Sequence, residues 1–207
     1  MIRRRPLLAV SLAVLAAACG PAAGSRPAPV RESSAPSTAL GQDPDGASIY
    51  QLDLPLIDDA GRALRLADLR GRTIVAAMMY TTCTSVCPRV TADMQVIERK
   101  LSEHDRRDVT FALFSLDPGK DTAAQMQRFA REHRLGTPPW RLFAASEDGV
   151  RDLAAVFGVK YARQADGEIA HSAMIFVIDR DGAVRHRQVG LGARPEELLE
   201  ALARARP

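Results

Sequence analysis

The stretch Thr73-Ile74-Val75-Ala76-Ala77-Met78-Met79-Tyr80-Thr81-Thr82-Cys83-Thr84-Ser85-Val86-Cys87-Pro88 decides the fold. Residues 73–80 form an almost unbroken apolar run of strand length, as expected of a strand covered on both faces of a sheet. Two cysteines separated by three residues follow, and Pro88 suits the first turn of a helix. Val90, Met94, Ile97 and Leu101 continue that helix as an apolar stripe. The reading is a buried strand, a cysteine loop and a helix, with the loop at the carboxyl end of the strand, where sites collect in open α/β sheets.

Downstream, Val109 to Leu116 is a second buried strand, Thr122 to His133 is helical in pattern, and Trp140 to Ala144 is strand-like. Glu147 to Phe157 reads as a helix stopped by Gly158. His171 to Ile178 reads as a strand, Asp179-Arg180-Asp181-Gly182 as a turn, Ala183 to Val189 as its hairpin partner, and Pro195 to Ala205 as a closing helix. Upstream, the alternation Tyr50-Gln51-Leu52-Asp53-Leu54 and the turn Asp59-Ala60-Gly61-Arg62 predict an N-terminal hairpin, with Leu66 to Leu69 a short connector. The fold class is α/β, with a mixed central sheet and flanking helices.

The chain opens with a different kind of segment. Arg3-Arg4-Arg5 precede a twelve-residue apolar run, Leu7 to Ala18, broken only by Ser11. That run is too short to span a bilayer about 30 Å thick, and it ends in small residues at Ala16-Ala17-Ala18-Cys19-Gly20. Residues 1–18 are therefore expected to be a lipoprotein-type signal peptide. Cys19 is expected to be the lipidated first residue of the mature chain, residues 19–46 a Pro/Ala/Ser-rich tether, and residues 47–207 the folded domain. Such a protein sits on the periplasmic side of a bacterial membrane. The formal charge of +3 is carried by the three leader arginines, because the remaining 25 basic residues face 25 acidic ones. The balance gives no footprint for nucleic acid.

With Cys19 set aside, Cys83 and Cys87 remain. The free N–H groups at a helix N-terminus favour a thiolate, and a spacing of three lets both sulfurs converge when the loop curls. Converging thiolates select Cu(I) over hard cations, and they can also close into a disulfide. As a mere staple such a bridge closes a very short ring and removes little chain entropy, which favours a working site. Met78 and Met79 lie inside the apolar strand and are read as core. His104 and His133 are read as helix-end residues, and Arg185-His186-Arg187 as a solvated hairpin face.

Several segments together resemble the SCO/SenC family. They are Tyr80-Thr81-Thr82-Cys83 through Cys87-Pro88, Ser115-Leu116-Asp117-Pro118 with Asp121-Thr122, Phe157-Gly158-Val159, and His171-Ser172-Ala173 leading into Ile175-Phe176-Val177-Ile178-Asp179. The resemblance runs from about Tyr50 to the C-terminus. It implies a thioredoxin-like fold and a copper site, Cu(I) or Cu(II), with His171 as third ligand beside Cys83 and Cys87. It also implies a role in delivering copper to, or preparing, the dinuclear copper centre of a respiratory cytochrome oxidase. The partner would be the copper-centre subunit or another copper chaperone. Two positions depart from the family pattern: Thr84 stands where a proline is common, and Ala170 where an aspartate commonly precedes the histidine. The second departure predicts thin support behind His171. The alternative function is thiol–disulfide reduction of the target by Cys83 and Cys87, which does not need His171. A peroxidase reading, resting on Thr82 and Arg89, is weaker. Asp117-Pro118 is read as a turn element rather than a copper ligand.

Overall fold

The computed structural model describes residues 48–192 and 194–206. The expected signal peptide, Cys19 and the expected tether lie outside them. The described chain builds a seven-stranded sheet in the order β2-β1-β5-β4-β3-β8-β9 and a separate two-stranded hairpin, β6-β7. The strands are β1 (Pro55–Asp58), β2 (Ala63–Arg65), β3 (Thr73–Met79), β4 (Val109–Ser115), β5 (Trp140–Ala144), β6 (Tyr161–Arg163), β7 (Ile169–His171), β8 (Met174–Ile178) and β9 (Val184–Val189). The helices are α1 (Val86–Lys100), α2 (Glu103–Asp108), α3 (Ala123–Glu132), α4 (Glu147–Phe157) and α5 (Pro195–Ala205).

The three central strands β3, β4 and β5 run parallel, and β8 lies antiparallel against β3. Every residue of β3, β4 and β8 is buried, which accounts for their largely apolar runs. Strand alternation puts Phe111 and Phe114 on opposite faces of the sheet. On one face Phe111 stacks on Trp140, whose Nε1 donates to Glu98 of α1. On the other, Phe157 of α4 stacks on Phe176 and meets Phe114, which stacks on Phe143. Helices thus cover both faces. This is the thioredoxin-like α/β architecture.

Two local expectations are corrected, and one helix is added to the reading. The segment Tyr50–Leu54 is not a strand. Ile49–Gln51 form a 3₁₀ turn capped by the Ser48 hydroxyl, both Ile49 and Tyr50 point into the core, and the hairpin strand begins only at Pro55. A short helix, α2, precedes β4; it has no buried residue, so no apolar period announces it. The segment from His171 to Ile178 is two strands: β7 ends at His171, and β8 begins at Met174 after a break at Ser172-Ala173.

The chain enters the fold beside the β8–β9 turn, where Ile49 N donates to Gly182 O and the Ser48 hydroxyl to Asp181 O. Gly182 has φ +91°, and a Cβ there would lie 2.4 Å from the Ser48 hydroxyl, so only glycine lets the chain cross this turn. Ile178 of β8 pairs with Ile74 near the start of β3, so this end of the molecule is opposite the cysteine loop.

Candidate metal centre

Tyr80 to Ser85 link the carboxyl end of β3 to α1, and the loop is tied at its root. Buried Asp121 accepts from Thr81 N at 3.1 Å, from the Thr81 hydroxyl at 2.5 Å and from the Ser115 hydroxyl at 2.6 Å. Cys83 N donates to Tyr80 O at 3.2 Å, curling the chain back. Ser85 occupies the N-cap position of α1 but its side chain caps nothing. The Cys83 sulfur serves instead, accepting the Cys87 N–H at 3.3 Å. A sulfur in the capping position meets an otherwise unpaired helix donor, the environment that favours a thiolate.

Cys83 is 6% exposed and Cys87 is fully buried, and neither is in a disulfide. The two titrate in opposite directions. The Cys83 thiol is held far below the usual range by hydrogen bonding from the Cys87 side chain and, next, from His171, helped by the backbone N–H groups of Cys87 and Ser85. The Cys87 thiol is pushed up by its bond to the Cys83 sulfur and by burial, so Cys87 keeps its proton. The metal-free pair is one thiolate and one thiol.

His171 arrives on the β6–β7 hairpin. Its Nε2 lies 3.4 Å from the Cys87 sulfur, and its Nδ1 lies 3.1 Å from Ser172 O. A carbonyl only accepts, so Nδ1 carries a proton, and this contact turns Nε2 toward the sulfurs. The Ser172 carbonyl thereby does the orienting that a carboxylate at position 170 was expected to do. Ala170 is exposed, and the expectation of thin support behind the histidine is corrected. Sγ of Cys83, Sγ of Cys87 and one nitrogen of His171 lie within 4.8 Å of one another. Two sulfurs and one imidazole form a soft donor set of the kind that takes copper in preference to hard cations.

Two polar clamps, neither evident in the sequence, hold the hairpin. The Tyr80 hydroxyl donates to Glu168 Oε2 at 2.6 Å and accepts from Ile169 N at 3.2 Å, while the Tyr80 ring meets the His171 ring edge-on at 6.0 Å. Burial, then the bond to Glu168, raises the Tyr80 phenol well above its usual range, so it stays a donor. Arg163 of β6 grips Asp117 with two bonds, at 2.8 and 3.2 Å, and Asp117 is buried beyond the end of β4. Asp117 is thus more than a turn former. Met78 and Met79 are core residues, Thr82, Thr84 and Arg89 are exposed, and His104, His133 and His186 stand outside the three-residue cluster.

The SCO1/SenC family model matches residues 42–206. The chain belongs to the SCO1/SenC family. Among curated members, the SCO1 protein homolog of Bacillus subtilis is 27% identical over 127 residues, 60% of this chain and 65% of that protein. The chain therefore spans less than two thirds of that relative. Among solved structures, a SCO1/SenC family lipoprotein from Bacillus anthracis superposes with a TM-score of 0.67 at 25% identity, covering 74% of this chain and 96% of that one. Bradyrhizobium japonicum ScoI, solved with copper bound, gives 0.61 at 26% identity over 73% and 96%.

Proposed function

We propose that this SCO1/SenC protein binds one copper ion through Cys83, Cys87 and His171 and delivers it to the dinuclear copper centre of a respiratory cytochrome oxidase. The convergence of the three donor atoms, brought from the β3–α1 loop, α1 and β7 to within 4.8 Å, carries this reading. A likeness to a family member solved with copper supports it. Copper is the cargo. Two thiolates and an imidazole suit Cu(I), and they accommodate Cu(II) when water or another ligand joins. Because Cys87 begins protonated, loading copper releases its proton, so uptake strengthens as pH rises. Cys83, already ionised and slightly exposed, is the first contact for incoming metal, and His171 closes the site.

The working position we propose is the periplasmic face of a bacterial membrane, held by a lipid on Cys19 with residues 19–46 as tether and residues 47–207 as the working domain. The Bacillus anthracis neighbour is a lipoprotein, and among the described residues no helix is long and apolar enough to cross a membrane. The decisive experiment is anaerobic Cu(I) titration of the reduced protein against a calibrated chelator, followed by Cu(II) addition. One copper per chain and a sulfur-to-copper charge-transfer band are expected. Binding no tighter than that of a protein lacking both cysteines overturns the proposal.

Thiol–disulfide exchange on the target's cysteines is the second reading. The lowered Cys83 thiol beside a protonated Cys87 favours it, because a thiolate attacks a disulfide and a neighbouring thiol resolves the mixed product.

A further inference from the structure

At the end of the sheet opposite the cysteines, a cavity of about 440 Å³ is lined by Arg72, Arg106, Arg107, Arg141 and Thr110, with Glu103 its one acidic wall. Arg141 is paired with Asp58 at 3.2 Å. Arg72 is held by uncharged oxygens, donating to the Thr110 hydroxyl at 2.7 Å and to Arg107 O at 2.6 Å. Among the described residues Arg72, Arg106 and Arg107 have no carboxylate partner, and the Arg106 Nε is buried with no hydrogen-bond acceptor. Guanidinium groups without a carboxylate partner favour an anion in the cavity they line.

We propose that this cavity binds the phosphate groups of an anionic phospholipid surface, so that the domain rests on the membrane by its arginine end and turns its cysteine end away. The placement of the preceding chain argues for a membrane as the source of the phosphate. Ile49 N bonds to Gly182 O and Gly71 N to Arg180 O, so the 47 residues before Ser48 join the domain at the end where Arg72 enters the cavity. The inference rests on the Cys19 reading only for bringing a membrane to that end. Guanidiniums suit phosphate through their planar fork of donors.

The test uses the mature protein purified from membranes and mixed with two kinds of vesicle: phosphatidylcholine alone, and phosphatidylcholine with phosphatidylglycerol. Amide exchange over Glu103–Asp108 and Thr110 should be slower on the mixed vesicles, roughly fivefold for each engaged arginine. High salt should erase the difference. Arg107→Gln, at an exposed position, should lose about one such factor without disturbing the fold, and Arg106→Gln with Arg107→Gln should lose the difference altogether. Equal exchange on both vesicles overturns the inference. Protection by inorganic phosphate on phosphatidylcholine alone, equal to that on the mixed vesicles, overturns the membrane as source and leaves a small-anion site. Retention on phosphatidylcholine reports the anchor separately. Binding confined to mixed vesicles and abolished by the double variant removes the anchor while upholding the cavity.

Discussion

The cysteine loop and the histidine hairpin contribute to one site but are built in contrasting ways. The loop grows out of β3, a central strand bonded on both sides and buried at all seven positions, and it runs directly into a 15-residue helix. The hairpin is two strands of three residues outside the main sheet, and β6 has no fully buried residue. A two-stranded ribbon of this size has little stability of its own. It keeps its place through Tyr80, Glu168, Arg163 and Asp117. Two donors are therefore fixed by the central sheet and α1, whereas the third depends on the two clamps and on the buried Ile169 beside it.

Breaking the rigid half should have the largest effect. Cys83→Ser and Cys87→Ser should each lower Cu(I) affinity, measured by chelator competition, by more than the roughly 10–100-fold typical of changes outside the ligand set. Retention of near-native affinity by either variant removes the two-sulfur site. Breaking the hairpin half should separate the two proposed functions. His171→Ala should lose most copper retention while still reducing a model disulfide. It should also raise the pH at which Cys83 is alkylated by iodoacetamide, since it removes one of the bonds that hold that thiol down. The sign follows from the depressed value: alkylation stays fast as pH falls through the ordinary thiol range and slows only at the lowered midpoint. Unchanged copper binding rules out His171 as a ligand.

Loosening the hairpin without touching a donor should cost less. Glu168→Gln, or Arg163→Gln at the other clamp, weakens a charge-assisted bond that solvent already screens. At these partly exposed sites we expect roughly tenfold weaker copper binding, with thermal stability nearly constant. Equal losses of stability and affinity in calorimetry contradict the division into a half built on the sheet and a half held by clamps. The smallest effect should come from Ala170→Asp, which restores the common family residue. The Ser172 carbonyl already orients His171, so affinity should change by less than about threefold. A larger gain shows that the carbonyl is a poor substitute.

The same contrast explains what could be read in advance. β3, the cysteine loop, α1, β4, β5, α4 and α5 announce themselves through long apolar runs, helical stripes and turn residues. The hairpin does not. Tyr161–Arg163 is short and mostly exposed, and its pairing with Ile169–His171 depends on contacts to residues more than forty positions away. α2 is polar on all sides, and the Tyr50 alternation is overridden because Ile49 and Tyr50 are both needed in the core. The motif resemblance singled out His171. Its neighbours Glu168 and Arg163, which hold it in place, left no local signal.

The two margins of the large sheet have a further consequence. On one side β2 is only three residues long; on the other β9 carries Arg185, His186 and Arg187 in succession, with Arg185 paired to Asp179 at 2.5 Å. A short margin and a charged one both discourage strand addition by a neighbouring molecule. Copies crowded along a surface would then stay separate, and each would keep its own site available for exchange.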